Sequence, residues 1–370
     1  MEFIYNLFPN LYDWLAGSLH ALLSGLNLVK DAENAIVAAI MTIIVVVVLL
    51  LWLVLMVLVM IWLERKVAAR VQDRVGPNRV GPWGLLQPVA DTIKMFIKED
   101  ITPTNADRLV HLLAPMVAAA PAVLAFAVIP WGKGMAPVDL NIGLLWIVAI
   151  ASIGTIGAFM AGYGSNNKFS LLGGMRAVAQ IVSYEIPQVL TIAVIALMAG
   201  SLSLNKIVEA QGGAGGLGWY IFAIPVGPIA FVIYYISALA EVVRAPFDLP
   251  EAESEIVAGY HTEYSGLKWG FFYVAEYFNF FLVCCVAVTL FLGGWQGPFL
   301  PPYVWFIIKV YALVILGMWI RMTWPRFRVD QLMGFAWKVL VPIGLVNIIL
   351  ASLFVTYAIP ALKQFGLFQY

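Results

Sequence analysis

The sequence is poor in charge, cysteine and histidine. Charged residues make up 11% of its 370 positions, less than half the share in an ordinary soluble domain. Lys plus Arg balance Asp plus Glu at 21 each. A neutral chain this thin in cations has no electrostatic footprint for nucleic acid. The two cysteines, Cys284 and Cys285, are adjacent inside an apolar run. Adjacent helical residues diverge by about 100°, which suits neither a disulfide nor a metal site. They read as two small core side chains, and without a cysteine cluster the chain has no iron–sulfur ligand set. His20, His111 and His261 lack metal-ligand spacing, and no GxGxxG or Walker motif opens a nucleotide site. No metal is therefore expected, and any redox cofactor is expected in another chain. Met1 to Leu28 has Glu2 and Asp13 where a signal peptide would be basic, so it does not read as one.

What the chain has in excess is apolar surface. Hydrophobic residues are 62% of the sequence, and the mean hydropathy is +0.92. This predicts an all-α polytopic membrane protein, residues 1–370 forming one transmembrane domain of about eight helices. The aromatic stretch 3–28 is expected in the interface or at the start of the first span. The first clear span is Ala35 to Leu63. Its 29 residues reach roughly 44 Å at ~1.5 Å each, more than a ~30 Å hydrocarbon core needs, so a strong tilt is expected. Further spans are expected at 111–131, 142–162, 178–199, 219–240, 268–292, 303–322 and 336–360. Between the first two lies a polar loop, 64–110. Its RVGPNRVGPWG centre is turn chemistry. Val89, Ile93, Phe96 and Ile97 are spaced for an amphipathic helix after it. The Gly-rich segment 201–218 reads as a flexible connector. Lys and Arg concentrate in alternate loops, which puts both termini outside and the 64–110 and 241–267 segments inside. No internal repeat is evident.

Acid is concentrated in one place. Glu241 to Glu263 holds six of the 21 carboxylates, with one arginine, Arg244. Interleaved APFDLP and EIVAGY point to a folded loop, while Glu251, Glu253 and Glu255 repel one another unless they meet cations, a basic partner or shared protons. Three more carboxylates lie in or at the ends of spans. Glu185 is expected about two turns into the fourth, Glu241 at the end of the fifth and Glu276 about two turns into the sixth. Each is paired with Arg or Lys, snorkels to the interface, or forms part of a proton path. Near Glu185 only Arg176 is close in sequence, which favours the path.

Four segments carry a resemblance: ERKVAARVQDRVGPNRVGPWGLLQPVADTIKMFIKED, GYGSNNKFSLLGGMRAVAQIVSYEIP, AEVVRAPFDLPEAESEIVAGYHTEYSGLKWGFFYVAEY and RMTWPRFRVDQLMGFAWKVLVPIGLVN. In this order, over about residues 35 to 355, the chain resembles the family of H subunits of bacterial proton-translocating NADH–quinone oxidoreductases. This is complex I, and the mitochondrial counterpart is subunit 1 of NADH dehydrogenase. The resemblance implies a multi-pass subunit of the bacterial inner membrane, forming the quinone entrance and part of the quinone cavity. It implies quinone as substrate, FMN and iron–sulfur clusters in partner subunits, and docking to peripheral-arm and small membrane subunits. It also implies roles. Glu64, Arg65, Lys66, Asp91, Lys94 and Arg321 fall at the quinone entrance and cavity. Asp248, Glu251, Glu253, Glu255 and Glu263 form an acidic coupling loop. Glu185, Glu241 and Glu276 lie on a proton path, and Arg326 and Arg328 in a basic patch. Some relatives carry another acid near the third span, whereas nothing here is acidic between Asp139 and Glu185. Competing readings are a membrane anchor of an energy-converting hydrogenase, a stand-alone ion-coupled permease and a purely structural anchor.

Overall fold

The computed structural model describes residues 13–18, 30–213, 218–250 and 253–358. Among them there is helix and turn but no strand. We number the helices from Lys30. They are α1 Lys30–Val71, α2 Gln87–Ile97, α3 Arg108–Ala125, α4 Gly143–Gly164, α5 Lys168–Ala199 and α6 Leu204–Ala210. There follow α7 Val226–Glu241, α8 Glu253–Ile256, α9 Gly266–Phe291, α10 Pro302–Thr323, α11 Val329–Phe335 and α12 Val341–Leu353. A π turn, Ala336–Leu340, joins α11 and α12 into one rod, Val329–Tyr357. Seven helices are long and apolar enough to cross a membrane, and α7 is a shorter apolar eighth. Most of the aromatic stretch 3–28 lies outside the described residues.

Four expected boundaries move: the fifth span begins later, at Val226, and the last earlier, at Val329, and two others move further. The first helix does not stop at Leu63 but runs 42 residues, roughly 63 Å. Glu64 to Val71 contains no Gly or Pro, and Ala68 and Ala69 are buried against neighbours. The chain turns only at Asp73, whose φ is 49°, just before Gly76-Pro77. The ERK triplet is therefore helical, and the polar segment begins beyond it. The fourth span also starts early. Asn167 caps α5 by accepting from the Phe169 N–H, and the helix runs 32 residues. Glu185 thus sits near its middle rather than two turns in, two residues before Pro187.

Close backbone approach packs the bundle. A Cβ at Gly157 of α4 would lie 2.6 Å from the Ala118 nitrogen of α3. At the centre stands α9. Its most apolar stretch is 83% buried, against 22% for α1, so lipid is left to α1. Phe126, Trp131, Phe281 and Phe306 stack or meet edge to face around it. Of the segment 201–218, the described residues 201–213 are not the free connector expected. Leu204, Ile207 and Val208 of α6 are buried. Buried Gln211 donates to the Thr289 carbonyl and accepts from the Tyr220 and Gly293 N–H groups. Nearby, the Lys309 ammonium donates to the Leu292, Gly294 and Gln296 carbonyls at 2.6, 3.0 and 2.6 Å, closing the C-terminus of α9. Cys284 and Cys285 are both free and buried.

Candidate functional site

At the other end of the bundle from Lys309, the last residues of α1, α7 and α10 meet the first turns of α9. Arg244, three residues beyond α7, is 2% exposed. Its Nη1 donates to Glu64 Oε2 at 2.7 Å, and its Nε lies 2.8 Å from Glu276 Oε1. The Tyr277 hydroxyl donates to the same Glu64 oxygen at 2.6 Å, and Arg321 donates to the other. The guanidinium lies 4.4 Å from the Tyr277 ring centroid and 4.9 Å from that of Phe280. Burial opposes the charge of Arg244, but Glu64 and Glu276 outweigh it and push its pKa well above the usual arginine value. Four charges from α1, the post-α7 turn, α9 and α10 thus compensate one another. Glu276 is the cation-paired case of the readings open for it.

The residues assigned to a quinone entrance divide between two places. Glu64 and Arg321 belong to this buried network. The adjacent residue Arg65, about 100° round the helix, faces outward and binds Asp91 of α2 at 2.6 Å. Lys94 is 3.8 Å from Asp91, and Gln87 donates to it at 3.3 Å. Lys66 lies over the Trp62 ring, and Trp62 Nε1 donates to the Trp83 carbonyl at 3.2 Å. These contacts hang α2 beside α1. Its Val89, Ile93, Phe96 and Ile97 are exposed, the amphipathic face that their spacing predicts.

Glu185 and Glu241 form a third place. Both line a cavity of about 30 Å³ with Gln188, Tyr234 and the apolar residues of α4, α5 and α9, room for about one water. Neither has an ion-pair partner among the described residues. Arg176 pairs instead with Glu255, at 2.6 Å. Glu185 accepts from the Ser152 hydroxyl of α4, in the stretch that lacks acid. Gln188 interacts with both Glu241 and Tyr234.

The acidic loop is folded, and its described carboxylates are held one by one. Gln180 of α5 donates to the Ala240 and Phe247 carbonyls at 2.8 and 2.6 Å. Phe247 stacks on Phe327, and the Phe327 N–H donates to the Pro246 carbonyl. Asp248 pairs with Arg326 at 3.2 Å. Burial raises its pKa, with Arg326 and Arg321 opposing. Arg328 pairs with Asp330. Glu263 accepts from Asn167 at 2.6 Å. Ser170 donates to the Tyr260 carbonyl, and a Cβ at Gly173 would sit 2.7 Å from the Gly259 backbone. Burial lowers the His261 pKa to about 4. Glu251 and the side chain of Glu253 lie outside the described residues, so the mutual repulsion expected there is not described.

Sequence reading missed Arg244 as a pairing residue, together with Tyr277, Gln188 and Ser152. Arg244 was visible as the one cation in an acidic stretch, while the other three carry no signal as single residues. Among the described residues no group of three or more His, Cys, Asp or Glu could hold a metal.

Known proteins share this chain's pattern. The family profile described as NADH dehydrogenase matches residues 43–352. The H subunit of NADH-quinone oxidoreductase from Dehalococcoides mccartyi strain CBDB1 is 53% identical over 294 residues, 80% of this chain and 81% of that one. The corresponding H subunit of Carboxydothermus hydrogenoformans is 51% identical over 297 residues, 79% and 83% of the two chains. That of Bacillus cytotoxicus is 52% identical over 298 residues, 79% and 87%. The match takes in Glu64, Arg244, Glu276, Glu185 and Glu241, and the chain belongs to the NADH dehydrogenase family, that of the NADH-quinone oxidoreductase H subunits.

Proposed function

We propose that the chain is the membrane subunit at which a complex I couples quinone reduction to proton translocation. NADH-derived electrons arrive through FMN and iron–sulfur clusters held by peripheral-arm subunits, and small membrane subunits continue the path beyond it. The observation that carries this reading is the presence of two unlike sets of acid inside the bundle. Glu64 and Glu276 are neutralised by Arg244 and Arg321, while Glu185 and Glu241 share a small, mainly apolar cavity with no cation among its lining residues. A carboxylate held in apolar surroundings is costly unless paired, hydrated or protonated. The first set is suited to fixing structure, the second to taking up and passing a proton.

Quinone enters between α1 and α2, where Arg65, Asp91 and Lys94 line an exposed apolar helix. Cations there favour an anionic form of the substrate, and the Glu64–Arg244–Arg321 network lies behind. The acidic loop, with Asp248 beside Arg321 and Arg326, transmits the change in substrate charge toward Glu241. The 64–110 and 241–267 segments face the cytoplasm of a bacterial inner membrane and both termini face outward. Glu241→Gln in the assembled complex is expected to lower NADH–quinone turnover and proton uptake into vesicles together. Wild-type turnover and pumping in that variant would refute the coupling role.

A further inference from the structure

The cavity shared by Glu185 and Glu241 is lined by two neutral polar residues, Gln188 and Tyr234, and Gln188 is the one with both a donor and an acceptor on a freely rotating amide. Gln188 is 8% exposed. It lies three residues after Glu185 on α5, hence on the same helix face, and it interacts with Glu241 and Tyr234. Tyr234 donates its hydroxyl hydrogen to the Val283 carbonyl at 3.2 Å. Its oxygen is then left as an acceptor for the Gln188 amide. The Gln188 amide oxygen and Glu241 Oε2 are buried, and neither has a hydrogen-bond partner among the described residues. Both residues border the same 30 Å³ space. Leaving two acceptors unpaired in such surroundings is costly. A donor that enters the cavity, as a carboxyl O–H or as a water, relieves that cost.

We infer that Gln188 is the positioning residue of the Glu185–Glu241 pair, an amide that serves Glu241 in both protonation states. An amide has two N–H donors and one carbonyl acceptor. Toward ionised Glu241 it presents N–H. Toward protonated Glu241 it presents oxygen, accepting the carboxyl O–H. A 180° rotation of the amide changes one into the other without moving a helix. The transfer balances: a water in the cavity gives one proton to the ionised carboxylate and takes one from the protonated carboxyl, so the pair's total charge is constant. Ser152 can do the same for Glu185: its hydroxyl donates to the ionised carboxylate, or turns to the Val148 carbonyl and accepts the carboxyl O–H. The inference rests on the proton-path reading above.

The test uses the complete complex in vesicles, with Glu241→Gln, Gln188→Leu, Gln188→Met and Gln188→Glu. The infrared carboxyl band lost in Glu241→Gln identifies Glu241. Leu and Met are expected to shift that band, displace the pH profile of coupled turnover and lower it about ten-fold or more. Glu, which also offers a donor and an acceptor when protonated, is expected to restore most of the activity. Met keeps the length and volume of Gln, so it carries the same criteria where the Leu complex fails to assemble. Unaltered coupling in Glu241→Gln defeats the proton-path reading. Impaired coupling in Glu241→Gln with an unmoved band and pH profile in Leu or Met overturns the role of Gln188 alone.

Discussion

Removing the Arg244 side chain leaves the half-buried Glu276 without its cation and buried Glu64 with Arg321 alone. Breaking such a pair by deleting one partner typically costs about 3–5 kcal/mol. Arg244→Leu is therefore expected to reduce assembly of the subunit or lower its melting temperature sharply in detergent. Arg321→Gln, at a side chain 30% exposed, costs less. A melting temperature unchanged in Arg244→Leu would contradict the network. Glu255 is the opposite case. Its pair with Arg176 is exposed and worth about 0–1 kcal/mol, so Glu255→Gln leaves stability alone. Any loss of activity in that variant then reports contact with a docked subunit, read as a weaker association with the peripheral arm. The pairing around Arg244 was illegible in the sequence for a plain reason: Glu64 lies 180 positions away. The motif ERK signals a helix end beside polar chain, whereas one turn of continued helix decides that Glu64 faces inward and Arg65 outward. Asp248 and Glu263 read in the sequence only as members of the acidic loop, and tertiary contacts assign each its own donor.

At the scale of elements, the acidic loop is docked on the first half of α5, and Gly173 sets the distance. A methyl group there meets the Gly259 backbone at 2.7 Å, so Gly173→Ala is expected to lift the loop. Faster proteolysis within residues 244–265 checks this, and protection equal to wild type argues against it. The same docking depends on pH through His261. Its docked pKa, about 4, is below the ordinary value near 6.5. The undocked loop therefore binds the proton more tightly. Docking is strongest above about pH 6.5 and weakens, by up to ~1.4 kcal/mol per pH unit, as pH falls toward 4. Asp248 runs the other way, since its raised pKa relieves a cost as pH falls through it. Hydrogen-exchange protection in the loop, measured relative to the intrinsic rate at each pH, is expected to fall between pH 7 and 5, and His261→Phe to flatten that dependence. The amphipathic α2 and the tilt-prone length of α1 were legible from periodicity and composition. The start of α5 was not, because KFSLLGGMRAVAQ reads as polar and Gly-rich. Its glycines serve close approach to α4 and the loop rather than a turn.

For the whole molecule, the apolar excess fixed the class, and hydropathy with proline and glycine placement located the seven membrane-length helices and the shorter apolar α7, most ends to within about a turn. Orientation rests on the distribution of Lys and Arg. Lys206→Cys, on the exposed side of α6, is expected to react with an impermeant maleimide in intact cells. Arg79→Cys is expected to react only in inverted membranes. Cys284 and Cys285 are buried and do not compete for the label. The reverse pattern would invert the topology.

The four-charge network has one more consequence. Two arginines and two glutamates sum to zero within a few ångströms, so seen from a distance the set is electrically silent, a gasket rather than a wire. The Glu185–Glu241 recess carries no such counterweight and responds to each proton that reaches it. Injuries to the two regions should therefore look different from outside: a damaged gasket leaks or fails to assemble at any load, whereas a damaged recess gives a sound, tight vesicle that merely runs slowly.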